Sequence, residues 1–137
     1  MIYAVIDTNV IVSSFISKSP ESPTKKVVQM ILNGSVTPLY DEDVIAEYNE
    51  VLKRNKFHLE YEKIDAILTQ IRKCGILTSR TTFAESMPDE SDRVFFEITL
   101  SVEDSFLVTG NLKHYPKKPQ VVTPAEFIAM FGALEEM

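Results

Sequence analysis

The chain has 137 residues and a formal net charge of −6, from 20 Asp and Glu against 14 Lys and Arg. This length predicts a single domain over residues 1–137, and 45% hydrophobic residues is an ordinary content for a soluble globular protein. One cysteine, Cys74, excludes a disulfide scaffold and a cysteine-based zinc cluster, and the acidic balance argues against a polycationic nucleic-acid binder.

The apolar residues predict strands that alternate with helices. Tyr3 to Ile6 is a continuous apolar run, as in a strand buried on both faces, and Asp7, Thr8 and Asn9 then provide helix-capping residue types. Further strands are predicted at 36–39, 76–77, 106–108 and 121–122, and helices at about 10–16, 25–32, 41–54, 61–73, 89–100 and 124–131. Strands separated by helices predict an α/β fold with a parallel sheet covered on both faces.

The N-terminal apolar run has neither the length nor the flanks of a targeting or membrane segment. It follows no basic region and is broken by Asp7, well short of what a bilayer requires. The loop-like stretch Ser17–Thr24 is too short to separate domains. We therefore expect a cytoplasmic protein with no membrane partner.

Polar residues follow the predicted strands, where ligands bind in open parallel α/β sheets. They are Asp7, Thr8 and Asn9 after the first strand, Asp41, Asp43 and Glu47 after the second, Asp89 and Asp92 before the next core strand, and Thr109 and Asn111 after it. Carboxylates with few histidines are hard oxygen ligands that suit Mg²⁺ or Mn²⁺. The sequence therefore predicts a divalent-metal site, and such an ion can polarise a phosphate and activate water.

Each acid also has a purely structural interpretation. A lone Asp7 after a strand more often caps the helix that follows, and Asp89 with Asp92 resembles a capping pair. Glu47 would ordinarily be solvated, although it flanks the apolar stripe of its helix and has the like-charged Asp43 four residues earlier. Considered one at a time, these acids favour capping and solvation over a site.

Competing chemistries lack their motifs. The chain has no GxGxxG, no GxxxxGK[ST] and no GxSxG, and neither His58 nor His114 has metal-ligand spacing. A phosphotransfer site with Asp7 as nucleophile would show Asp-x-Asp, whereas Asn9 occupies the second position. Phosphotransfer is thus the weakest of the functional hypotheses.

Five segments, in this order along the chain, resemble the PIN-domain family. They are Val5–Val10 (VIDTNV), Glu47–Leu52 (EYNEVL), Asp89–Asp92 (DESD), Leu107–Asn111 (LVTGN) and Thr123–Phe127 (TPAEF). The closest branch is that of the toxin components of prokaryotic toxin–antitoxin systems. The resemblance covers nearly the whole chain and implies a three-layer α/β/α sandwich with a central parallel sheet and a ribonuclease dependent on Mg²⁺ or Mn²⁺.

The resemblance also assigns roles to individual residues. It implies that Asp7, Glu47 and Asp92 are the metal-binding catalytic acids, with Asp89 as an auxiliary acid and Thr8, Asn9 and Thr109 as orienting residues. Asn111 stands where many family members have a fourth acid. Its amide can ligate a metal or hold water but adds no charge, so a second ion would be held less strongly, and single-metal catalysis or weak activity stays open.

Basic residues near these acids are candidate RNA contacts. They are Arg54, Arg93, Lys113 and His114, with Lys53, Lys56, Lys117 and Lys118 as further candidates among ordinary surface charges. His114 can contact phosphate, although a loop histidine is more often solvated.

Two functions of different classes follow. The first is a metal-dependent endoribonuclease that acts as the toxin of a toxin–antitoxin pair, for which the resemblance implies an antitoxin partner and often a homodimer. The second is a catalytically weakened PIN-like module that binds RNA or a protein without turnover. Metal-dependent cleavage of a mixed RNA pool distinguishes them.

Overall fold

Strands and helices alternate along the chain in the computed structural model, which describes residues 1–132; residues 133–137 of the predicted domain lie outside it. The strands are β1 (Ile2–Ile6), β2 (Val36–Tyr40), β3 (Ile76–Leu77), β4 (Phe106–Val108) and β5 (Val121–Val122). The helices are α1 (Thr8–Ile16), α2 (Pro23–Leu32), α3 (Glu42–Leu52), α4 (Tyr61–Cys74), α5 (Arg93–Leu100) and α6 (Pro124–Phe131). Every predicted strand and helix is present.

The five strands form one parallel sheet in the order β3-β2-β1-β4-β5. The chain builds outward from β1 through β2 to β3 and then crosses to the other side of β1 to form β4. This change of direction creates a crevice outside the carboxyl ends of β1 and β4. Ile6 lies in register with Val108, so Asp7 and Thr109, the residues that follow them, lie side by side.

Helices cover both faces of the sheet. Ala4, Val5 and Ile6 are consecutive and at most 1% exposed, and because successive side chains of a strand point to opposite faces, neither face is open to solvent. Helix α5 packs against β1, β2 and β4, whereas α2 and α4 contact each other and β2. The architecture is the predicted three-layer α/β/α sandwich. No helix within residues 1–132 is long and apolar enough to span a membrane.

One predicted helix begins later than expected. The sequence predicts a helix from Asp89, but the chain forms a 3₁₀ turn at Glu90–Asp92 and α5 begins at Arg93. The Asp89 carboxylate accepts hydrogen bonds from both the backbone N–H and the hydroxyl of Ser91, at 3.0 and 2.6 Å, which favours the tight turn over a regular first helical turn. The turn sets the position of the Asp92 carboxyl relative to the crevice.

Candidate metal centre

A cleft of 370 Å³ lies at the carboxyl ends of β1 and β4. Seven of the eight predicted catalytic, metal and orienting residues line it: Asp7, Thr8, Asn9, Glu47, Asp89, Asp92 and Asn111. The eighth, Thr109, lies behind the cleft and is fully buried. A larger groove of 520 Å³ beside α2 has a mainly apolar surface, from side chains such as Phe15, Val28 and Ile67, and has no acid among its lining residues within 1–132.

Asp7 does not cap α1, and the capping interpretation of this residue is wrong. Its carboxyl group occupies the N-cap position without a capping hydrogen bond and is only 3% exposed. Instead its Oδ2 accepts hydrogen bonds from the Thr109 hydroxyl at 2.7 Å and the Tyr115 hydroxyl at 2.8 Å. Burial raises the pKa of Asp7, and these two hydroxyls partly offset that rise. Two donors on one oxygen fix the plane of the carboxylate.

The loop after β4 is tied to the first turn of α1. The Asn9 side-chain oxygen accepts a hydrogen bond from the Gly110 N–H at 3.0 Å, and the Asn111 N–H donates to the Thr109 hydroxyl oxygen at 3.0 Å. A Cβ atom at Gly110 would lie 3.2 Å from the same Asn9 oxygen, so the close approach favours glycine there. These contacts bring Asn111 to the rim of the cleft.

Glu47 extends from α3 toward Asp7. Its half-buried carboxylate accepts a hydrogen bond from the Thr8 hydroxyl. Burial raises the pKa of Glu47, the Thr8 hydrogen bond lowers it, and the charge of Asp7 raises it again. The nearby Arg54 forms an ion pair with Glu50, with an N–O distance of 2.9 Å. The expectation of an ordinary solvated helix residue is therefore wrong for Glu47.

Asp92 is 9% exposed and contacts a histidine rather than capping α5. The Nδ1 atom of His114 lies 2.9 Å from Asp92 Oδ2 and 3.5 Å from Asp89 Oδ2. Burial and the charge of Asp7 raise the pKa of Asp92 to about 6, against the lowering effect of the His114 contact. Of the predicted capping pair, only Asp89 makes a local hydrogen bond to the backbone, and that bond stabilises the preceding turn.

Both arginines among the predicted RNA contacts are already engaged within the chain. Arg93 pairs with Glu90 and also donates to the backbone carbonyls of Phe83 and Glu85, at 2.5 and 2.9 Å, which ties the 83–90 segment to α5. Arg54 is held by Glu50. Binding a phosphate would require either arginine to give up these partners, so both are weaker candidates than the sequence suggested.

Sequence reasoning missed two features of this site. Tyr115 is 3% exposed and reaches Asp7 across 108 residues of chain. His114, although its side chain is 40% exposed, contacts Asp92 and Asp89. Their only sequence signal is position, since both follow the Thr109–Asn111 turn at the end of a core strand.

A PIN domain family model matches residues 3–113, a span that includes all of the cleft acids. The chain belongs to the PIN domain family. PIN domains have a nuclease-like fold and are generally metal-dependent nucleases. The chain is also 26% identical over 112 residues to the ribosomal protein uS12 methylthiotransferase RimO of Thermoanaerobacter sp. (strain X514). The match covers 74% of this chain but only 26% of that protein, so the chain spans about a quarter of its length.

The donor set of the PIN cleft fits a hard divalent cation. Asp7, Glu47 and Asp92 come from three separate segments, line one cleft and all have raised pKa values. Raised values mean that burial and mutual repulsion disfavour three negative charges in the cleft. A divalent ion in the cleft would relieve that cost and favour the ionised form of each carboxylate.

Proposed function

We propose that this PIN domain protein is an endoribonuclease that hydrolyses RNA phosphodiester bonds, with Mg²⁺ or Mn²⁺ held by Asp7, Glu47 and Asp92. One observation carries the proposal: three carboxylates whose pKa values are all raised line a single cleft at the point where the sheet changes direction. A bound divalent ion supplies charge that polarises the scissile phosphate and lowers the pKa of a water molecule.

The chain's own residues orient the ligands. Thr109 and Tyr115 fix the Asp7 carboxylate, and Thr8 fixes that of Glu47. Asn111 adds a neutral amide at the rim, either as a ligand or as a partner for water. Ligands whose rotation is restricted before the ion arrives lose less entropy on binding it.

RNA contacts would come from the loop that leaves the cleft after Asn111. Lys113, Lys117 and Lys118 are exposed on this loop and line a neighbouring surface depression. Lysines beside an acidic cleft attract the phosphate backbone without reading base sequence. These three lysines are therefore better candidates for phosphate contact than Arg54 and Arg93, which have partners within the chain.

We assign the biological role from the family branch that the motifs resemble. In this proposal the protein is a cytoplasmic toxin neutralised by a cognate antitoxin, and it acts on RNA as a monomer or homodimer. Induced expression should arrest bacterial growth, and co-expression of a small antitoxin encoded beside it should restore growth. Growth that continues under full induction of an active nuclease would contradict the toxin role but not the enzyme.

The nuclease proposal is tested by cleavage of a mixed RNA pool with Mg²⁺, with Mn²⁺ and with EDTA. Wild type and the Glu103→Gln control, which neutralises an exposed acid preceding β4, should cleave with metal, and Asp7→Asn should lose at least about a hundredfold in rate. Equal cleavage by Asp7→Asn and wild type would refute the assigned centre.

The absence of a fourth carboxylate at Asn111 favours a second candidate, a PIN module that binds RNA without turnover. This candidate predicts that RNA binds in a gel-shift assay while no product forms with either metal. Restoring the acid with Asn111→Asp would then be expected to introduce metal-dependent cleavage, since a fourth charge strengthens the hold on a second ion.

A further inference from the structure

We propose that His114 is a metal ligand that takes the place of the missing fourth acid, so that Asp89, Asp92 and His114 hold a transition-metal ion such as Mn²⁺ in preference to Mg²⁺. The inference deepens the proposed function and rests on it, because Asp92 belongs to both ligand sets and the ion would lie in the same cleft. It gives His114 a role different from the phosphate contact expected from the sequence.

The distances fit a shared ion. One ligand atom from each of Asp89, Asp92 and His114 lies within 4.8 Å of the other two. The His114 nitrogen lies 2.9 Å from the Asp92 oxygen and 3.5 Å from the Asp89 oxygen. Two ligand atoms held at right angles about 2.1 Å from one ion lie roughly 3.0 Å apart, so these side chains already have nearly the spacing of neighbouring ligands. A neutral imidazole would exchange its contact with Asp92 for the ion.

The surrounding hydrogen bonds hold Asp89 and His114 in place and leave their proposed ligand atoms available. Asp89 is fixed through one oxygen, Oδ1, by Ser91, while its Oδ2 is the atom nearest His114. His114 ends the short 3₁₀ turn at 112–114, and the next residue, Tyr115, is anchored to Asp7. The imidazole is therefore held near the acids by a buried neighbour, although its own side chain is 40% exposed and accessible to an entering ion.

The chemistry of the donors determines which ion is preferred. Mg²⁺ binds oxygen ligands and gains little from an imidazole nitrogen, whereas transition ions accept nitrogen readily. Because Asn111 is neutral, the cleft has one carboxylate fewer than a PIN centre with four acids. An imidazole there restores a ligand but no negative charge, and this favours Mn²⁺ over Mg²⁺.

The test is metal binding rather than activity. Calorimetry measures the affinity for Mn²⁺, and competition with Mn²⁺ measures the affinity for Mg²⁺. Coordination by nitrogen is detected as ¹⁴N modulation of the electron spin echo of the bound Mn²⁺. Wild type should prefer Mn²⁺ and show the nitrogen signal. His114→Gln should lose the signal and about tenfold in Mn²⁺ affinity, with a much smaller change for Mg²⁺. His114→Asp should bind Mg²⁺ more tightly than wild type and lose the preference.

The other histidine supplies a matched control. His58 is exposed and has a positive φ of 52°, so His58→Asn replaces it with a residue that tolerates this conformation and should leave both affinities and the signal unchanged. A nitrogen signal that persists in His114→Gln, or equal losses for the two metals, would overturn the inference.

The same measurements separate this inference from the proposed function. If wild type binds neither ion at millimolar concentration, the metal centre itself is refuted and the inference fails with it. If Asp7→Asn weakens metal binding while His114→Gln leaves the metal preference intact, the centre stands and only the role of His114 is wrong.

Discussion

Replacing Asp92 with Asn should stabilise the metal-free protein while weakening its response to metal. The pKa of Asp92 rises from an ordinary 3.8 to about 6 because the carboxyl is buried beside Asp7. This rise in pKa corresponds to a cost of roughly 3 kcal/mol for ionising Asp92 in the folded state. Solvent in the open cleft and the lost pairing with His114 make the stabilisation smaller than this cost. We expect the free energy of unfolding to rise by about 1–2 kcal/mol at pH 7.5, which raises the melting temperature by roughly 3–8 °C.

The sign of the pH dependence follows from proton linkage. Since the folded state holds its proton up to about pH 6 and the unfolded state releases it near 3.8, the folded protein loses stability relative to the unfolded chain as pH rises through this window. Well below pH 3.8 the wild-type carboxyl is neutral in both states, and at pH 4 only a small part of the ionisation cost remains. The advantage of Asp92→Asn should therefore be full at pH 7.5 and nearly absent at pH 4.

Thermal unfolding in EDTA, and again with millimolar Mn²⁺, checks both halves of this prediction. Asp92→Asn should melt above wild type in EDTA, and wild type should gain more from Mn²⁺ because binding to the folded state alone raises stability. Glu103→Gln, a surface neutralisation, controls for net charge. A variant that melts below wild type in EDTA at pH 7.5, or an advantage of equal size at pH 4, would refute the reasoning.

Two further predictions concern residues that support the cleft. Tyr115→Phe removes the buried hydroxyl that donates to Asp7 at 2.8 Å, and the Mn²⁺ affinity measured by calorimetry should fall by about tenfold. An unchanged affinity would show that Thr109 alone orients the carboxylate. Arg93→Lys breaks the guanidinium contacts to Glu90, Phe83 and Glu85, and the 83–90 segment should become sensitive to limited proteolysis. Wild-type protease resistance in that variant would contradict the structural role of Arg93.

Local sequence patterns predicted the fold better than they predicted the role of individual acids. Two aspartates follow strands and precede helices in the same way, yet Asp41 caps α3 by accepting from the Val44 N–H at 2.9 Å, whereas Asp7 makes no capping bond. The difference arises from tertiary structure, because β1 is central and the loop after β4 brings Thr109 and Tyr115 against Asp7. Periodicity and capping rules act over a few residues and carry no information about partners a hundred residues away.

The three predicted metal-binding acids differ from the acids paired with arginine in the direction of their pKa shifts. Glu90 pairs with Arg93, which lowers its pKa to about 2, and Glu42 has a lowered pKa beside Arg72. Asp7, Glu47 and Asp92 have raised values, so their ionised forms cost stability that the fold must supply from elsewhere. The net charge of −6 argued against a polycationic nucleic-acid binder, and it combines both kinds of acid. Asp89 lines the same cleft with a lowered pKa, because Ser91 donates two hydrogen bonds to its carboxylate. The acids that bear on metal-dependent chemistry are thus identified by their place at one end of the sheet, which net charge cannot show.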